Sequence, residues 1–242
     1  MLTRDDPVSF SSGVQRMFSD IAPRYDFLNA FLSCRRDRYW RQEAVNELSP
    51  KSGESLLDIA TGTGDIALET ARRDGSGKIK VVGVDFSLNM LVLAAKKIRA
   101  RGRQNVIGLN AGAAEFLPYR DNSFDGAITA FGVRNFSDVE KGLKEMRRVL
   151  RFGGKLVILE FSFPTNAMLK LTYRLYFDLL LPLIGKVVSG HSNAYAYLAR
   201  SVSDFPERSD FARIIEQAGF HDVKYRDLTF GIVTLYTGYK NA

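Results

Sequence analysis

A chain of 242 residues is long enough for one domain with a substantial core, or for one domain with a modest cap. Its composition, 45% hydrophobic and 25% charged, is that of an ordinary soluble globular protein. The formal net charge of +7 permits attraction to nucleic acid or to anionic lipid but does not choose between them. No stretch of the sequence reaches the ~18 to 20 apolar residues that a membrane span needs, so we expect no transmembrane helix.

The cysteine content and the N-terminus bear on the cellular compartment. The single cysteine, Cys34, excludes an internal disulfide and fits a reducing cytoplasm. The N-terminal stretch MLTRDDPVSF carries two aspartates and lacks the apolar segment of a signal peptide. We therefore expect a cytoplasmic protein, one that its excess of Lys and Arg could hold at the inner face of a membrane.

Strand-like and helix-like segments alternate along the first two thirds of the chain. Residues 1–54 have the pattern of a helical lid. The cofactor-binding core, residues 55–161, is predicted to contain strands at 55–60, 79–85, 105–110, 124–131 and 154–161, separated by helices at 65–73, 87–101 and 137–150. Alternation of this kind predicts an open, doubly wound α/β sheet of mostly parallel strands. We expect Phe152-Gly153-Gly154 to form the tight turn before the fifth strand.

The tail of the chain has a different pattern. Helical patterns rich in aromatic residues, at 165–185 and 193–203, predict a substrate flap over residues 162–205. In residues 206–242 a helix at 207–218 ends at Gly219, and two closely joined strands, 221–229 and 232–239, must form a hairpin. The sequence thus predicts one domain with a seven-stranded, Rossmann-like sheet of the class I methyltransferase kind, whose last strand is antiparallel.

The ten residues from Leu56 to Asp65 are the most informative in the chain. An apolar strand contains Asp58 near its end and breaks into a turn with Gly62 and Gly64 before a helix, an arrangement typical of a loop that cradles a nucleotide. The spacing also fits the G-x-G-x-x-[GA] loop of a dinucleotide dehydrogenase. Asp58 argues against that alternative, because a carboxylate repels a pyrophosphate but suits the sulfonium and ammonium of S-adenosylmethionine. A structural role for Asp58, capping the following turn, stays open.

A second carboxylate follows at the distance that a nucleotide-binding unit requires. The apolar run from Ile79 to Val84 ends in Asp85, roughly twenty residues beyond the loop. A carboxylate there can accept hydrogen bonds from both hydroxyls of an adenosine ribose. We therefore predict that Asp85 contributes to the cofactor site together with the loop residues Gly62, Thr63 and Gly64.

Several longer motifs are more specific than the glycine loop. They are Met17 to Asp26, Ala130-Phe131-Gly132-Val133-Arg134-Asn135, Leu159-Glu160-Phe161-Ser162 and Tyr195-Ala196-Tyr197-Leu198. In these motifs, and over nearly its whole length, the chain resembles the ubiquinone/menaquinone biosynthesis C-methyltransferases. That family methylates a ring carbon of a prenylated benzoquinol or naphthoquinol. The resemblance implies S-adenosylmethionine as the cofactor, a prenylated quinol as the substrate and no metal.

The resemblance also implies further cofactor-binding residues. Tyr25, Ala130 and the pair Ala113-Ala114 fall in segments where the family binds its cofactor. The family usually has Asn or Asp near the adenine where this chain has Ala113. We therefore expect backbone groups, and not a side chain at this position, to bind the adenine. Thr61 stands where the family often has another glycine, which alters the loop slightly.

Methylation of carbon requires a carbon nucleophile, which a hydroquinone provides once a phenol has lost its proton. A phenol titrates near pH 10, and an adjacent arginine could lower that pKa by ~1 to 3 units. Arg134, just beyond the fourth strand, is the candidate, and Asn135 could orient the ring oxygen or a water. Arg134 could instead pair with a helix acid and shape the loop. Tyr195 and Tyr197 are predicted to line the ring pocket, with a role as core aromatics left open.

Other functions fit less well. A nucleic-acid methyltransferase would suit the basic charge, but amino-directed enzymes of that kind usually carry Asn/Asp-Pro-Pro-aromatic after the fourth strand, where this chain has Phe131-Gly132-Val133-Arg134. We therefore expect no nucleic-acid partner. A methyltransferase acting on another phenolic or lipid substrate is the alternative, and a non-catalytic scaffold is the third possibility. An anionic membrane surface or a protein of quinone biosynthesis is expected to deliver the quinol, and the sequence is compatible with a homodimer.

Overall fold

The structure is a computed structural model that describes residues 7–74, 77–175 and 192–241. Its centre is one seven-stranded sheet with the strand order β3-β2-β1-β4-β5-β7-β6. The strands are β1 (Ser55–Ile59), β2 (Lys80–Asp85), β3 (Ile107–Ala111), β4 (Phe124–Ala130), β5 (Leu150–Phe161), β6 (His221–Leu228) and β7 (Val233–Tyr239).

Strands β1 to β5 pair in parallel, whereas β7 runs antiparallel to both β5 and β6. The predicted doubly wound sheet with an antiparallel last strand is confirmed.

Nine helices are described around the sheet. They are α1 (Pro7–Ile21), α2 (Tyr25–Leu32), α3 (Arg36–Leu48), α4 (Asp65–Arg73), α5 (Leu88–Ala100), α6 (Val139–Val149), α7 (Ala167–Leu175), α8 (Ser192–Ser203) and α9 (Arg208–Gln217). Helices α3, α4 and α5 contribute to the apolar core on one face of the sheet, and α6 and α9 to the core on the other. The structure therefore has one layer of helices on each face of a single sheet, as expected for an α/β fold.

Local sequence explains where the crossover helices begin. The Ser87 hydroxyl caps α5 by accepting from the Met90 backbone N–H, and the Asp138 carboxylate caps α6 by accepting from that of Lys141. Leu143, Met146 and Val149 recur at helical spacing on α6 and are buried against the sheet.

The carboxyl ends of β1 and β4 lie side by side, because the direction of winding reverses between them. In open α/β sheets this position forms the crevice in which ligands bind.

The prediction of a turn at Phe152-Gly153-Gly154 was wrong. These residues lie within β5, beside a shift in register between Phe124 and Gly126 of the neighbouring β4. The Gly153 backbone N–H donates to the Lys240 carbonyl oxygen (2.7 Å), just beyond Lys155 and Tyr239, the last pair of the ladder between β5 and β7. Gly153 has a φ of +78°, which lets the strand bend here without ending.

The helices outside the core follow the predicted pattern where they are described. α7 occupies the start of the helix expected at 165–185, and residues 176–185 lie outside the described residues. α8 and α9 match the predicted helices at 193–203 and 207–218, and Gly219 follows α9 with a φ of +93°.

Helices α1 to α3 occupy the segment for which the sequence predicted a helical lid, and we refer to them as the lid. α1 is tied to the carboxyl edge of the sheet by the Gln15 amide, which donates to the Phe86 carbonyl oxygen, and by a 3.1 Å contact between the Ser19 and Ser87 hydroxyls. Within the described ranges, no helix combines the length and the apolar character that would let it cross a membrane.

Candidate active site

The turn after β1 has the backbone geometry of a ligand cradle. Gly62 and Gly64 have φ values of +54° and +82°, and Ala60 adopts +55° although it carries a Cβ. A left-handed alanine is strained by about 1 to 3 kcal/mol, and such strain concentrates at functional sites. The turn therefore exposes backbone groups at the carboxyl end of β1, where the sequence predicted the cofactor.

Asp85 lies across this turn at the end of β2. Its Oδ2 accepts from the Gly62 backbone N–H (2.8 Å) and its Oδ1 from the Ser87 backbone N–H (2.9 Å). Burial raises the pKa of Asp85 to about 6, although these backbone hydrogen bonds oppose the rise. Each carboxylate oxygen has a second lone pair, so Asp85 can still accept hydrogen bonds from ligand hydroxyls.

A cavity of about 60 Å³, which we call the carboxyl-edge cavity, opens between this turn and the lid. It brings together seven of the predicted site residues: Tyr25, Gly62, Asp85, Ala113, Ala114, Ala130 and Asn135. Sequence reasoning missed Phe18 and Met90, which also line it, because helical apolar residues are indistinguishable from core residues by pattern alone.

Three predicted cofactor residues do not line this cavity in the described part of the chain. Thr63 donates from its hydroxyl to Asp26 (2.6 Å) and accepts from Lys97 Nζ (3.0 Å), which ties the glycine turn to the lid. Gly64 packs against α5, because a Cβ there would lie 3.2 Å from that of Ala94. The third is Asp58.

Asp58 is buried beneath the glycine turn, and its carboxylate points toward the start of α4. Its Oδ2 accepts from the Thr61 hydroxyl (2.5 Å) and from the Ala67 backbone N–H (3.1 Å), which is the capping role that the sequence left open. Burial raises the pKa of Asp58 to about 7, although both hydrogen bonds oppose the rise. Its Oδ1 is buried without a hydrogen-bond partner among the described residues.

A second, larger cavity of about 570 Å³ lies beneath the lid, and we call it the lid cavity. Side chains from α1, α2, α3, α7 and α8 surround it, and most of them are apolar. Phe18, Tyr25 and Phe131 line both cavities, so the two share a wall.

The innermost part of the lid cavity is aromatic. Phe131 and Phe161 approach to 4.4 Å between ring centroids, and Trp40 lies edge-on to both at 6.1 and 6.2 Å. The Trp40 indole N–H donates to the Thr229 hydroxyl (2.7 Å), which fixes the orientation of the ring. Phe131 has a φ of +59°, a strained conformation at the point where the two cavities meet.

The motif after β4 requires a glycine for steric reasons. A Cβ on Gly132 would lie 2.7 Å from both the Ala60 Cβ and the Thr129 hydroxyl oxygen. Close approach at this glycine lets the 3₁₀ turn Val133–Asn135 start directly beside the β1 turn. Its two polar side chains, Arg134 and Asn135, therefore lie at the shared wall.

Arg134 is buried in the wall of the lid cavity and paired with an acid. Its Nη1 donates to Glu160 Oε1 (2.7 Å) and to the Phe131 carbonyl oxygen (2.5 Å). Its guanidinium carbon lies 5.3 Å from the centroid of the Phe161 ring. The sequence left open that Arg134 pairs with an acid on a helix. Arg134 does pair with an acid, but that acid, Glu160, lies on strand β5 and not on a helix.

Asn135 and Tyr197 connect the two cavities. The Tyr197 hydroxyl donates to Asn135 Oδ1 (3.0 Å), while the Asn135 amide contacts the Phe131 carbonyl oxygen (3.3 Å). Asn135 lines the carboxyl-edge cavity and Tyr197 the lid cavity. The side chain of Tyr195, on the same helix as Tyr197, lies outside the described residues.

Comparisons with known proteins show which family the sequence resembles over most of its length. The model of the ubiE/COQ5 methyltransferase family matches residues 7–240. The ubiquinone/menaquinone biosynthesis C-methyltransferase UbiE of Geobacter sulfurreducens is 46% identical over 94% of this chain and 88% of its own length. The demethylmenaquinone methyltransferase of Deinococcus radiodurans is 47% identical over 94% of this chain and 92% of its own.

Solved structures support the fold. A SAM-dependent methyltransferase from Thermotoga maritima superposes with a TM-score of 0.66 at 22% identity, over 93% of this chain and all of its own. At that identity the likeness shows the class I methyltransferase fold alone.

Proposed function

The chain belongs to the ubiE/COQ5 methyltransferase family, and from that premise we propose that it methylates a ring carbon of a prenylated quinol. It is an S-adenosylmethionine-dependent methyltransferase of quinone biosynthesis. The observation that carries the proposal is the wall of Phe18, Tyr25 and Phe131 between a carboxylate-bearing cavity and a larger apolar one. Because the two cavities adjoin at these residues, a methyl donor in one and a quinol ring in the other can be brought into direct contact there.

The carboxyl-edge cavity has groups that suit the cofactor. Asp85 can accept from the ribose hydroxyls, and the backbone of Ala113 and Ala114 can contact the adenine. Asp58 lies beneath the glycine turn and outside the cavity wall, so its buried carboxylate can act on a cationic donor only through the turn. When bound, S-adenosylmethionine supplies an electrophilic methyl group.

The lid over this site has to move to admit the cofactor. A cavity of about 60 Å³ is small beside the roughly 300 to 1,000 Å³ typical of ligand pockets. Phe18 of α1 and Tyr25 of α2 are the lid side chains in its wall, so an outward shift of these helices enlarges it. Their return then excludes water from the reacting centre.

The lid cavity suits the ring of the quinol. Its volume of about 570 Å³ and its mostly apolar lining are those of a site for a drug-sized molecule. Trp40, Phe131 and Phe161 offer flat apolar surfaces against which an aromatic ring packs in stacked or edge-on geometry. The ring thereby comes to rest beside the wall that faces the cofactor.

The polar groups at the wall control the charge of the ring oxygen. Arg134 is positioned to donate to a phenolate and to stabilise it relative to the phenol. Because Arg134 is paired with Glu160, the phenolate faces a dipole rather than an isolated positive charge. The shift in the pKa of the phenol should therefore lie at the lower end of the ~1 to 3 units that a free arginine produces.

Asn135 and Tyr197 are suited to position the quinol ring, whereas Arg134 affects the ionisation of its phenol. Their hydrogen bond of 3.0 Å closes the wall beside Phe131. A ring hydroxyl in the lid cavity can exchange hydrogen bonds with the Tyr197 hydroxyl, which is both a donor and an acceptor. The ring carbon ortho to that oxygen is then held toward the cofactor side.

An assay with defined quinones tests this function. Purified protein would be given S-adenosylmethionine and a demethyl prenylnaphthoquinone or a demethyl prenylbenzoquinone, each with and without a chemical reductant. We expect turnover only with the reduced ring, because the nucleophilic carbon requires a phenolate. Equal rates on the oxidised and reduced compounds would refute the mechanism, and turnover of an unrelated phenol alone would favour the alternative substrate class.

A further inference from the structure

The elements that enclose the lid cavity also carry exposed apolar side chains. We call Phe27, Met168, Leu171 and Phe230 the apolar rim; between 61% and 79% of each residue's surface is exposed. Phe27 stacks on Phe31, which lines the cavity, with ring centroids 6.1 Å apart. Seven of the twelve large exposed apolar residues in the described part of the chain belong to α2, α3, α7 or the β6–β7 turn, which are among the elements that enclose this cavity.

The turn between β6 and β7 holds Phe230 outward. Thr229, Phe230 and Gly231 have φ values of +48°, +59° and +85°, three consecutive left-handed residues. Thr229 accepts from the Trp40 indole, and the Gly231 carbonyl oxygen accepts from Arg208 Nη2 (2.8 Å), so both neighbours of Phe230 are fixed. A strained, well-anchored turn that presents an aromatic ring to solvent indicates a contact surface.

Positive charge lies next to this rim. Arg35, Arg36 and Arg38 are exposed at the corner between α2 and α3, and none of them takes part in an ion pair with another described residue. Arg38 and Arg103 also line a polar groove of about 490 Å³, in which Arg41 and Lys97 are already paired with aspartates. We call Arg35, Arg38 and Arg103 the basic corner.

Helix α3 joins the two features. Asp37 and Arg41 line both the polar groove and the lid cavity, so the basic corner and the lid cavity lie on neighbouring sides of one helix. Apolar side chains flanked by cations complement a bilayer with anionic headgroups, where aromatic rings enter the interface and guanidiniums meet phosphate.

We propose that this face docks on an anionic phospholipid bilayer, with the apolar rim in the interface and the basic corner on the headgroups. The proposal rests on the proposed function, because a lid cavity of about 570 Å³ accommodates the ring but not a long prenyl tail. With this face against the bilayer, the remainder of the tail stays in lipid while the ring enters the site.

Vesicle flotation tests the docking face directly. The full chain would be mixed with vesicles of phosphatidylglycerol and phosphatidylcholine, or of phosphatidylcholine alone, at low and high salt. The triple variant Arg35→Asn, Arg38→Gln, Arg103→Gln should bind anionic vesicles at least tenfold more weakly than the wild type. The triple variant Phe27→Gln, Leu171→Gln, Phe230→Asn should also bind more weakly, and here low salt should not restore binding.

Matched controls lie on other surfaces. The variant Lys51→Gln, Lys80→Gln, Lys224→Gln removes the same charge, and Phe152→Gln with Tyr225→Gln removes exposed aromatic surface. Both should bind like the wild type. Docking is refuted if the controls lose as much binding as the test variants, if the wild type ignores lipid charge, or if it floats only with vesicles that carry membrane proteins.

Activity separates this proposal from the proposed function. With a short-chain, water-soluble quinol, both docking variants should keep wild-type rates, because neither changes a residue that lines the two cavities. With a long-chain quinol embedded in anionic vesicles, their rates should fall at least fivefold. Vesicle binding without turnover of any quinol refutes the proposed function and leaves docking intact, whereas turnover without vesicle binding refutes docking alone.

Discussion

The carboxyl-edge cavity and the lid cavity share a wall, yet the chain builds them in different ways. The first is formed largely by turns at the ends of β1, β2 and β4, together with the short loop after β3. The second is enclosed mainly by helices that precede or follow the core, and the segment after β4, the end of β5 and the β6–β7 turn complete its wall. Sheet geometry fixes the cofactor side, whereas packing between distant helices determines the substrate side.

The electrostatics of the two cavities differ in the same way. Beside the carboxyl-edge cavity lie two buried carboxylates, Asp58 and Asp85, whose pKa values are raised by burial to about 7 and about 6. The lid cavity instead has a buried ion pair of Arg134 and Glu160 in an apolar wall. The carboxylate of Asp85, which ionises above pH 6, suits a cationic methyl donor on one side, and an arginine on the other side suits a phenolate.

The largest effect is expected from Arg134, the cation of the lid cavity. Arg134→Met should lower kcat by roughly tenfold, the equivalent of about one pKa unit of the phenol, if the guanidinium stabilises the phenolate. It should also destabilise the fold by about 3 to 5 kcal/mol, because Glu160 would remain buried without its partner. Steady-state kinetics and denaturant unfolding of the same preparation measure both quantities.

The double variant Arg134→Met, Glu160→Gln separates these two contributions. Removing both charges should restore most of the stability, because no unpaired ion stays buried. Activity should remain as low as in the single variant. A double variant that regains near wild-type kcat would return Arg134 to a purely structural role.

The second largest effect concerns Asp58, the carboxylate beneath the glycine turn. Its pKa is about 7 in the folded protein but about 3.9 in an unfolded chain. As pH rises from 4 to 7, the unfolded state loses its proton first, so the free energy of unfolding falls by up to about 4 kcal/mol. Asp58→Asn lacks this titration, and its stability relative to the wild type should therefore increase with pH.

Urea unfolding of both proteins at pH 5 and pH 8 checks this expectation. A stability difference that is the same at the two pH values would contradict a neutral, buried Asp58. S-adenosylmethionine affinity of Asp58→Asn adds a second readout. A change below threefold would assign Asp58 to helix capping, and a larger loss would assign it to the cofactor.

Asp85, by contrast, faces the carboxyl-edge cavity and should act on affinity. Asp85→Ala should weaken S-adenosylmethionine binding at least tenfold, because hydrogen bonds to a charged acceptor contribute ~1.5 to 3 kcal/mol. Since the pKa of Asp85 is about 6, the wild type should bind more tightly as pH rises from 5 to 7 and the carboxylate ionises. Calorimetry showing unchanged affinity in folded Asp85→Ala would exclude the ribose contact, and tight NADH binding by the wild type would revive the dehydrogenase alternative.

The two cavities also differ in how far the sequence could predict them. The β1 turn and Asp85 are separated by only about twenty residues in a strand-turn-helix-strand unit, so pattern and spacing were sufficient. The hydrogen bond from Trp40 to Thr229 joins residues 189 positions apart, and no local pattern indicates it. Periodicity predicted the helices of the lid, but it could not show which of their apolar side chains enclose a ligand rather than a core.

The direction of a buried side chain was equally hard to predict. Asp58 was expected at the cofactor on chemical grounds, yet its carboxylate caps the first turn of α4. The partner of Arg134 lies 26 residues away on the neighbouring strand, in a position set by the register between β4 and β5. The sequence indicated that Asp58 lies near the end of the first strand and that Arg134 follows the fourth, whereas tertiary packing determined what each side chain contacts.

The smallest effect is expected at the point where the two cavities are joined. Tyr197→Phe removes the hydroxyl that donates to Asn135 across the shared wall, but it keeps the ring. A neutral hydrogen bond contributes about 0.5 to 1.5 kcal/mol, so kcat/KM for the quinol should fall about two- to tenfold. S-adenosylmethionine affinity should stay within twofold, because Tyr197 lines only the lid cavity. Asn135 lines the cofactor side, and Asn135→Ala should weaken cofactor binding and turnover together. If Tyr197→Phe instead lowered cofactor affinity as strongly as quinol turnover, the two cavities would respond as one site, and their division at this wall would be wrong.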